Sequence, residues 1–319
     1  MEPADGRGRA VDPADVDPVH LLPALHRSGH RDDGIEVSIE GVLTGERGPI
    51  SGEATVTFGG QRAHLCAVMR PSLKDQDRAG AGQDCLVVAD GVTPICPDDG
   101  AVVQDYAETV INAFLEQRQT ELAEVLQNAV RQRPSTAGEA PACAVGAARA
   151  VRGVLELASV ADVLAAAQCR DGRVVVCVDN RVEKHEVRAA LAFYRSVLSG
   201  EHVDVARTEA RKGLLAQRQR RNRTGSYWVM AGESAVAEEV KVIRLPLADV
   251  RTVLVASDGF TRAWQELGVL SGVAEALDPT VSLDQVADDI RTAERWRARS
   301  PLPLFGPSDD LTALRMTFD

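Results

Sequence analysis

The sequence of 319 residues predicts a layered α+β domain, and three observations carry the prediction. Strand-like segments come in meandering runs instead of alternating one by one with helices, which argues against a doubly wound parallel sheet. Helical periodicity is confined to three blocks, near 102–130, 184–221 and 261–297. The runs "CLVVAD" and "TVLVAS" are apolar without alternation, the pattern of strands covered on both faces. With 45% hydrophobic residues, a chain of this length can bury a full core.

Residues 1–50 are rich in Pro, Asp, Gly and Arg and show no sustained period, so a disordered arm is expected there, with the folded domain at 51–319. "EATVTFG" and "AHLCAVM" read as two strands joined by a turn at "GGQR". After a loop, "KDQDRAGAGQD", comes the strand "CLVVAD". Val103, Tyr106, Val110 and Phe114, then Leu122, Val125, Leu126 and Val130, fall at helical spacing. A small-residue connector, "CAVGAARAV", leads to three strands, "VLELASV", "VLAAAQC" and "RVVVCVD", the last two hinged on "RDG". A polar helical stretch follows at 184–221. Strands return with "SYWVMA", "EEVKVIRLPL" and "TVLVAS", then helices at 261–297 and a closing strand, "LTALRMTF". No repeat of solenoid period appears.

The formal net charge of -11 makes nucleic acid an unfavourable partner, and the basic stretch at 210–223 reads as a solvated helix face. Six cysteines sit in apolar runs with no C-x-x-C, as in a reduced cytoplasmic protein. No apolar run reaches membrane-spanning length and the N-terminus lacks a signal-peptide pattern, so no membrane contact is expected. Tyr227 and Trp228 read as core aromatics, with cleft lining as the alternative.

The acidic residues are the informative ones. Asp-Gly occurs in turn contexts at Asp5, Asp33, Asp99 and Asp171, but at Asp90-Gly91 and Asp258-Gly259 an apolar strand delivers it. A carboxylate is then held at a rigid strand end, and the neighbouring glycine lets the backbone approach a ligand closely. "KDQD" at 74–77 and "SDDLT" at 308–312 add two further acidic groups beside strands. Carboxylates in one cleft repel one another unless cations join them, and an oxygen-rich set with scattered histidines suits Mg²⁺ or Mn²⁺ over zinc. Four independent turn aspartates are the bland alternative.

Taken in order, "DQD", "VVADG", "VASDG" and "DDLT" resemble the elements of the metal-dependent protein phosphatase family of the 2C type, and "LASVADVLAAAQCRDG" is similar to its region where "GDSR" stands between two hairpin strands. The resemblance runs from about residue 54 to the end. It implies a four-layer α-β-β-α sandwich with two central antiparallel sheets. It makes Asp90 a bridging metal ligand, Gly91 a ligand through its carbonyl, and Asp258 and Asp309 ligands of one ion. Asp77 would act through water, and Asp162 with Asp258 would serve a third ion. Two Mn²⁺ or Mg²⁺ ions would share the water that attacks phosphorus in a phosphoserine or phosphothreonine protein, with no covalent intermediate. Arg70 is read as a phosphate clamp or, alternatively, as a surface arginine.

Departures from the family pattern lie on the substrate side: "DGVTPI" replaces a glycine-rich sequel, Ser72 stands where the family's arginine does, and "ADVL" replaces "GDSR". A weakly active pseudophosphatase serving as a binding module and a phosphatase of small metabolites are therefore the alternatives to a cytoplasmic, monomeric protein phosphatase.

Overall fold

The computed structural model describes residues 41–44, 50–92, 100–117, 120–132 and 141–319. Twelve strands and eight helices lie among them. One sheet contains β1 (Gly41–Thr44), β4 (Arg78–Ala81), β5 (Cys85–Gly91), β6 (Cys143–Val151), β7 (Val154–Val160) and β10 (Lys241–Pro246), in that spatial order. The second runs β2 (Ile50–Phe58), β3 (Gln61–Arg70), β12 (Leu311–Phe318), β11 (Val250–Ala256), β8 (Leu164–Cys169) and β9 (Val174–Cys177). All pairings in both are antiparallel. The layered α+β sandwich expected from the sequence is thus the architecture observed.

Strand parity explains the continuous apolar runs. In β5, Leu86 and Val88 join the core between the sheets, while Val87 and Ala89 pack under the helices on the outer side. In β11, Val253 and Val255 face inward and Leu254 and Ala256 outward. Both strands are covered twice, so neither shows an alternation of apolar and polar residues. Helices α1 (Gly100–Glu116) and α2 (Leu122–Gln132) cover the first sheet with Tyr106, Val110, Ile111, Phe114 and Leu126. Helices α6 (Asp258–Gln265), α7 (Val273–Ala276) and α8 (Leu283–Ala298) cover the second with Phe260, Leu277, Leu283 and Ile290. A hairpin of α3 (Glu183–Leu198) and α4 (Val203–Arg218) builds a small cluster of its own, Phe193, Ala206 and Ala210, against Phe305. Short α5 (Val236–Glu239) precedes β10.

Four expectations need correcting. "CAVGAARAV" is not a connector but β6, a central strand. Alanine and glycine are weak strand formers, yet space demands them here, since a Cβ on Gly146 would stand 2.5 Å from Val163 Cγ1. "RAGA", read as loop, is β4, and Gly80 likewise has no room for a Cβ against Ile111. "SYWVMA" forms no strand beyond a bridge between Met230 and Cys143, and Tyr227 and Trp228 are buried in the two cores. Finally, β7 and β8 do not pair with each other: the chain crosses between sheets at Ala161, whose φ of 63° makes the turn.

The folded body reaches back to β1, inside the stretch expected to be an arm; residues 1–40 lie outside the described residues. So does most of the "VTPI" sequel to Asp90-Gly91. Among the described residues, no helix is long and apolar enough to cross a membrane.

Candidate functional site

Both sheets end in acid on the same side. Parity carries Asp90 to the inner face at the end of β5, two residues beyond Val88. From the other sheet, β11 passes through Ser257 into α6 and sets Asp258 in that helix's first turn. Ser257 is tied to the neighbouring strand, its N–H donating to the Thr312 carbonyl at 2.9 Å and its hydroxyl accepting from the Thr312 N–H at 3.0 Å. That lattice fixes where Asp258 begins. A Cβ on Gly259 would meet the Asp310 carbonyl oxygen at 1.9 Å, so only glycine lets the two segments lie so close. Gly91 is comparable, with Gln76 and Val103 atoms 2.7 Å from its notional Cβ.

Asp77 arrives on the loop between β3 and β4, Asp162 on the crossover between the sheets, and Asp309 just before β12. The five carboxyls are near enough to act on one another. Burial first, then Asp77, Asp258, Asp309 and Asp162, holds Asp90 well above the usual carboxylate range. Burial, then Asp309 and Asp162, pushes Asp258 up to about 7, while the neighbouring Asp90 carboxyl and Lys74 pull the other way. Burial raises Asp162 to about 6, with Asp309 and Asp179 adding to it. Asp77 is raised well above its ordinary value by burial and then by Asp310.

At an effective dielectric of about 20, two carboxylates about 4 Å apart repel by about 4 kcal/mol. Several such pairs rival the ~5–15 kcal/mol that hold a whole domain together. The cluster therefore stands only with protons or cations in it.

Asp77 is 3% exposed, and neither of its oxygens completes a hydrogen bond although Thr312 lies close. Asp258 Oδ1 is also buried without a partner. Such orphaned anionic oxygens are costly and mark a place for a missing positive group. The donor set, all hard oxygens, fits Mg²⁺ or Mn²⁺. Even so, among the described residues no group of three His, Cys, Asp or Glu side chains is close-set enough to hold an ion as the side chains stand.

A cation of the protein's own stands among them. Lys74 Nζ lies 2.9 and 3.1 Å from the two oxygens of Asp309. Burial works against the ammonium, but Asp309, with Asp90 and Asp258 behind it, holds Lys74 above its ordinary range. Its loop is rigidly held: Asp310 accepts hydrogen bonds from the N–H groups of Ser72 at 2.6 Å, Asp75 at 3.2 Å and Gln76 at 2.6 Å. Gln104 Nε2 donates to the Asp75 carbonyl from α1 at 2.8 Å.

Arg70 is turned elsewhere. Its guanidinium pairs with Asp284 and Asp288 of α8 and donates to the carbonyls of Ile50 and Met69. As the side chains stand, the fork that would clamp a phosphate is engaged by α8 and by two backbone carbonyls. Asp310 has one signal in the sequence, the doubled Asp of "SDDLT", which supplies one carboxylate for the cleft and one for the loop.

The cleft wall includes the helical hairpin. Glu186 of α3, exposed on its helix, lies within electrostatic reach of Asp162, Asp258 and Asp309. Arg218, at the end of α4, lies within electrostatic reach of Glu186 and Asp309. A separate cavity of about 380 Å³, between Val203, Arg207, Glu294 and Leu304, lies away from the carboxylates.

No protein-family model and no curated protein sequence matches the chain. Solved structures do resemble it. A bacterial serine phosphatase is 12% identical with a TM-score of 0.47, over 80% of this chain and 97% of that one. The Mycobacterium tuberculosis serine/threonine phosphatase PstP/Ppp is 16% identical with a TM-score of 0.47, over 81% and 99%. RsbX, solved in complex with magnesium, is 8% identical with a TM-score of 0.44, over 85% and 100%. Likeness of this degree carries no weight for activity, which has to be read from the residues.

Proposed function

We propose that the protein is a metal-dependent phosphomonoester hydrolase acting on phosphoserine or phosphothreonine in proteins. One observation carries the reading: carboxylates from both sheets converge on a buried spot where Asp77 and Asp258 keep oxygens without partners. Asp77, Asp90, Asp258 and Asp309 would hold Mn²⁺ or Mg²⁺, with Gly91 offering its carbonyl and Asp162 a further carboxylate. A divalent cation there supplies Lewis acidity toward phosphoryl oxygens and lowers the pKa of a bound water.

The chain's own residues do the rest. Burial of Asp90 and Asp258 in a low-dielectric crevice strengthens every charge interaction made there. Strand ends and the Ser257–Thr312 lattice hold these carboxylates in place against their mutual repulsion. Lys74 and Arg218 give the cleft positive groups toward which a phosphate dianion is drawn.

A second reading, a binding module without turnover, is favoured by the ion pair between Lys74 and Asp309, which occupies one of the proposed ligands. Purified protein with Mn²⁺ and p-nitrophenyl phosphate, a phosphothreonine peptide and a panel of small phosphoesters separates the readings. Peptide hydrolysis that vanishes in Asp90→Asn is the expected result. Faster turnover of small phosphoesters would replace the protein substrate, and no turnover on any of them would leave the binding module.

A further inference from the structure

Helix α3 carries apolar residues on two faces, and the fold uses one of them. Ala189 and Phe193 are buried, with Phe193 packed among Ala206, Ala210 and Phe305. On the outward side Val187, Leu191 and Leu198 fall at helical spacing in a single stripe, with 48%, 47% and 75% of their surface exposed. Lys184, Arg188 and Arg195, all exposed, each precede a stripe residue by three positions, which aligns them along one edge of the stripe. Glu183 and Glu186 stand toward the other edge. Single exposed leucines are ordinary, but an aligned apolar set with a charged border is the form of a surface that another segment covers.

The chain ahead of β1 contains a segment of complementary chemistry. "DPADVDPVHLLPAL" at 12–25 presents Asp12, Asp15 and Asp17 and, directly after them, Val19, Leu21, Leu22 and Leu25. We infer that this segment docks on the outer face of α3 in the same chain, its apolar residues on Val187, Leu191 and Leu198 and its aspartates along Lys184, Arg188 and Arg195. Opposite charges beside an apolar contact give the pairing its register and specificity. Reach is sufficient, since the stretch from Leu25 to Gly41, where β1 begins, spans up to about 55 Å when extended, comparable to the diameter of a domain of this size. A tether of that kind supplies an effective concentration in the mM range, so a contact too weak to join two separate molecules is still populated within one. Glu186, near the start of α3, lies within electrostatic reach of Asp162, Asp258 and Asp309, so a segment held on this helix stands beside the acidic cleft. The inference needs neither metal nor turnover and is independent of the phosphatase reading.

Zero-length carbodiimide coupling of the full chain, read by mass spectrometry, tests the docking, because Lys184 is the single lysine of α3 and exposed Lys212 and Lys241 serve as internal controls. Isotopically light and heavy chains are mixed beforehand, so that links within one chain and between two differ in mass. Lys184 should couple within one chain to Asp12, Asp15 or Asp17 in preference to either control lysine. That link should be lost both in Leu21→Asp/Leu22→Asp and in Leu191→Ser/Leu198→Ser, the second pair lying at exposed positions. Thermal melts verify that each variant folds. Hydrogen exchange over residues 19–25 should be slowed in the wild type and return to the free-peptide rate in both variants. Aspartates that couple to Lys184, Lys212 and Lys241 alike, as an undocked tether would, or exchange at the free-peptide rate in the wild type, would overturn the inference. Links that join a light chain to a heavy one would put a second copy on α3 and overturn it as well.

Discussion

The carboxyl of Asp90, at the end of β5 in one sheet, lies within electrostatic reach of that of Asp258, at the head of α6 beyond β11 in the other. Two acids from opposite sheets are thereby held against their mutual repulsion by the fold itself. Asp90→Asn removes that repulsion, so without divalent ions the variant should melt several degrees above the wild type; at about 2–4 °C per kcal/mol for a domain of this size, 1–2 kcal/mol is enough to see. Added Mn²⁺ should raise the melting temperature of the wild type and leave the variant where it was. A variant that melts lower than wild type without metal, and gains as much from Mn²⁺, would refute the pairing.

Stability of the metal-free protein should fall with rising pH through the mildly acidic range. Asp162 keeps its proton to about 6 and Asp258 to about 7 in the folded chain, against about 3.9 in an unfolded one. Between those values the folded state binds more protons, so stability is full below about pH 4 and is progressively lost toward pH 7. Urea titrations from pH 4.5 to 7.5 in chelator should show this slope, and saturating Mn²⁺ should flatten it. A stability that climbs over the same range would contradict raised carboxyls.

Asp310 holds the loop carrying Lys74 and Asp77 through three backbone N–H groups. Hydrogen bonds to a charged acceptor contribute about 1.5–3 kcal/mol each, and not additively. Asp310→Ala should cost about 3 kcal/mol or more in urea unfolding and abolish hydrolysis, while Asp310→Asn, which keeps one acceptor oxygen, should lose roughly half as much. Equal losses in both variants would point to charge instead of loop anchoring.

Gly259→Ala places a methyl group 1.9 Å from the Asp310 carbonyl, where backbone has to move. Overpacking of this kind costs about 1–3 kcal/mol, and the shift should reach Asp258 and Asp309 together. Hydrolysis by this variant should therefore fall further than in Gly100→Ala, which meets nothing within 4 Å. Matched activities in the two variants would remove the glycine from the account.

Strands whose side chains carry their own signal were legible in the sequence: β3, β5, β11 and β12 announce themselves through bulky apolar residues. β6 and β4 did not, because at Gly146 and Gly80 the neighbouring layer leaves no room for side chains, and small residues erase the strand signal where packing is tightest. The same holds at the site. Asp90 and Asp258 were visible as strand-end acids, and the fold brings them together from opposite sheets. The pairing of Arg70 was not legible because its partners Asp284 and Asp288 lie over 200 residues away in α8, a distance no local pattern spans. The pairing of Lys74 was not legible either, because only the packed loop turns its ammonium toward Asp309.

The most direct test of a cation shared between the two sheets is a crystal structure grown or soaked in Mn²⁺, with anomalous scattering locating the ion. An anomalous peak within coordination distance of a carboxyl oxygen of both Asp90 and Asp258, between roughly 2.0 and 2.6 Å as for hard cations on oxygen, is the predicted result. Both carboxylates free of any peak, in crystals where Mn²⁺ is bound elsewhere or not at all, would contradict it.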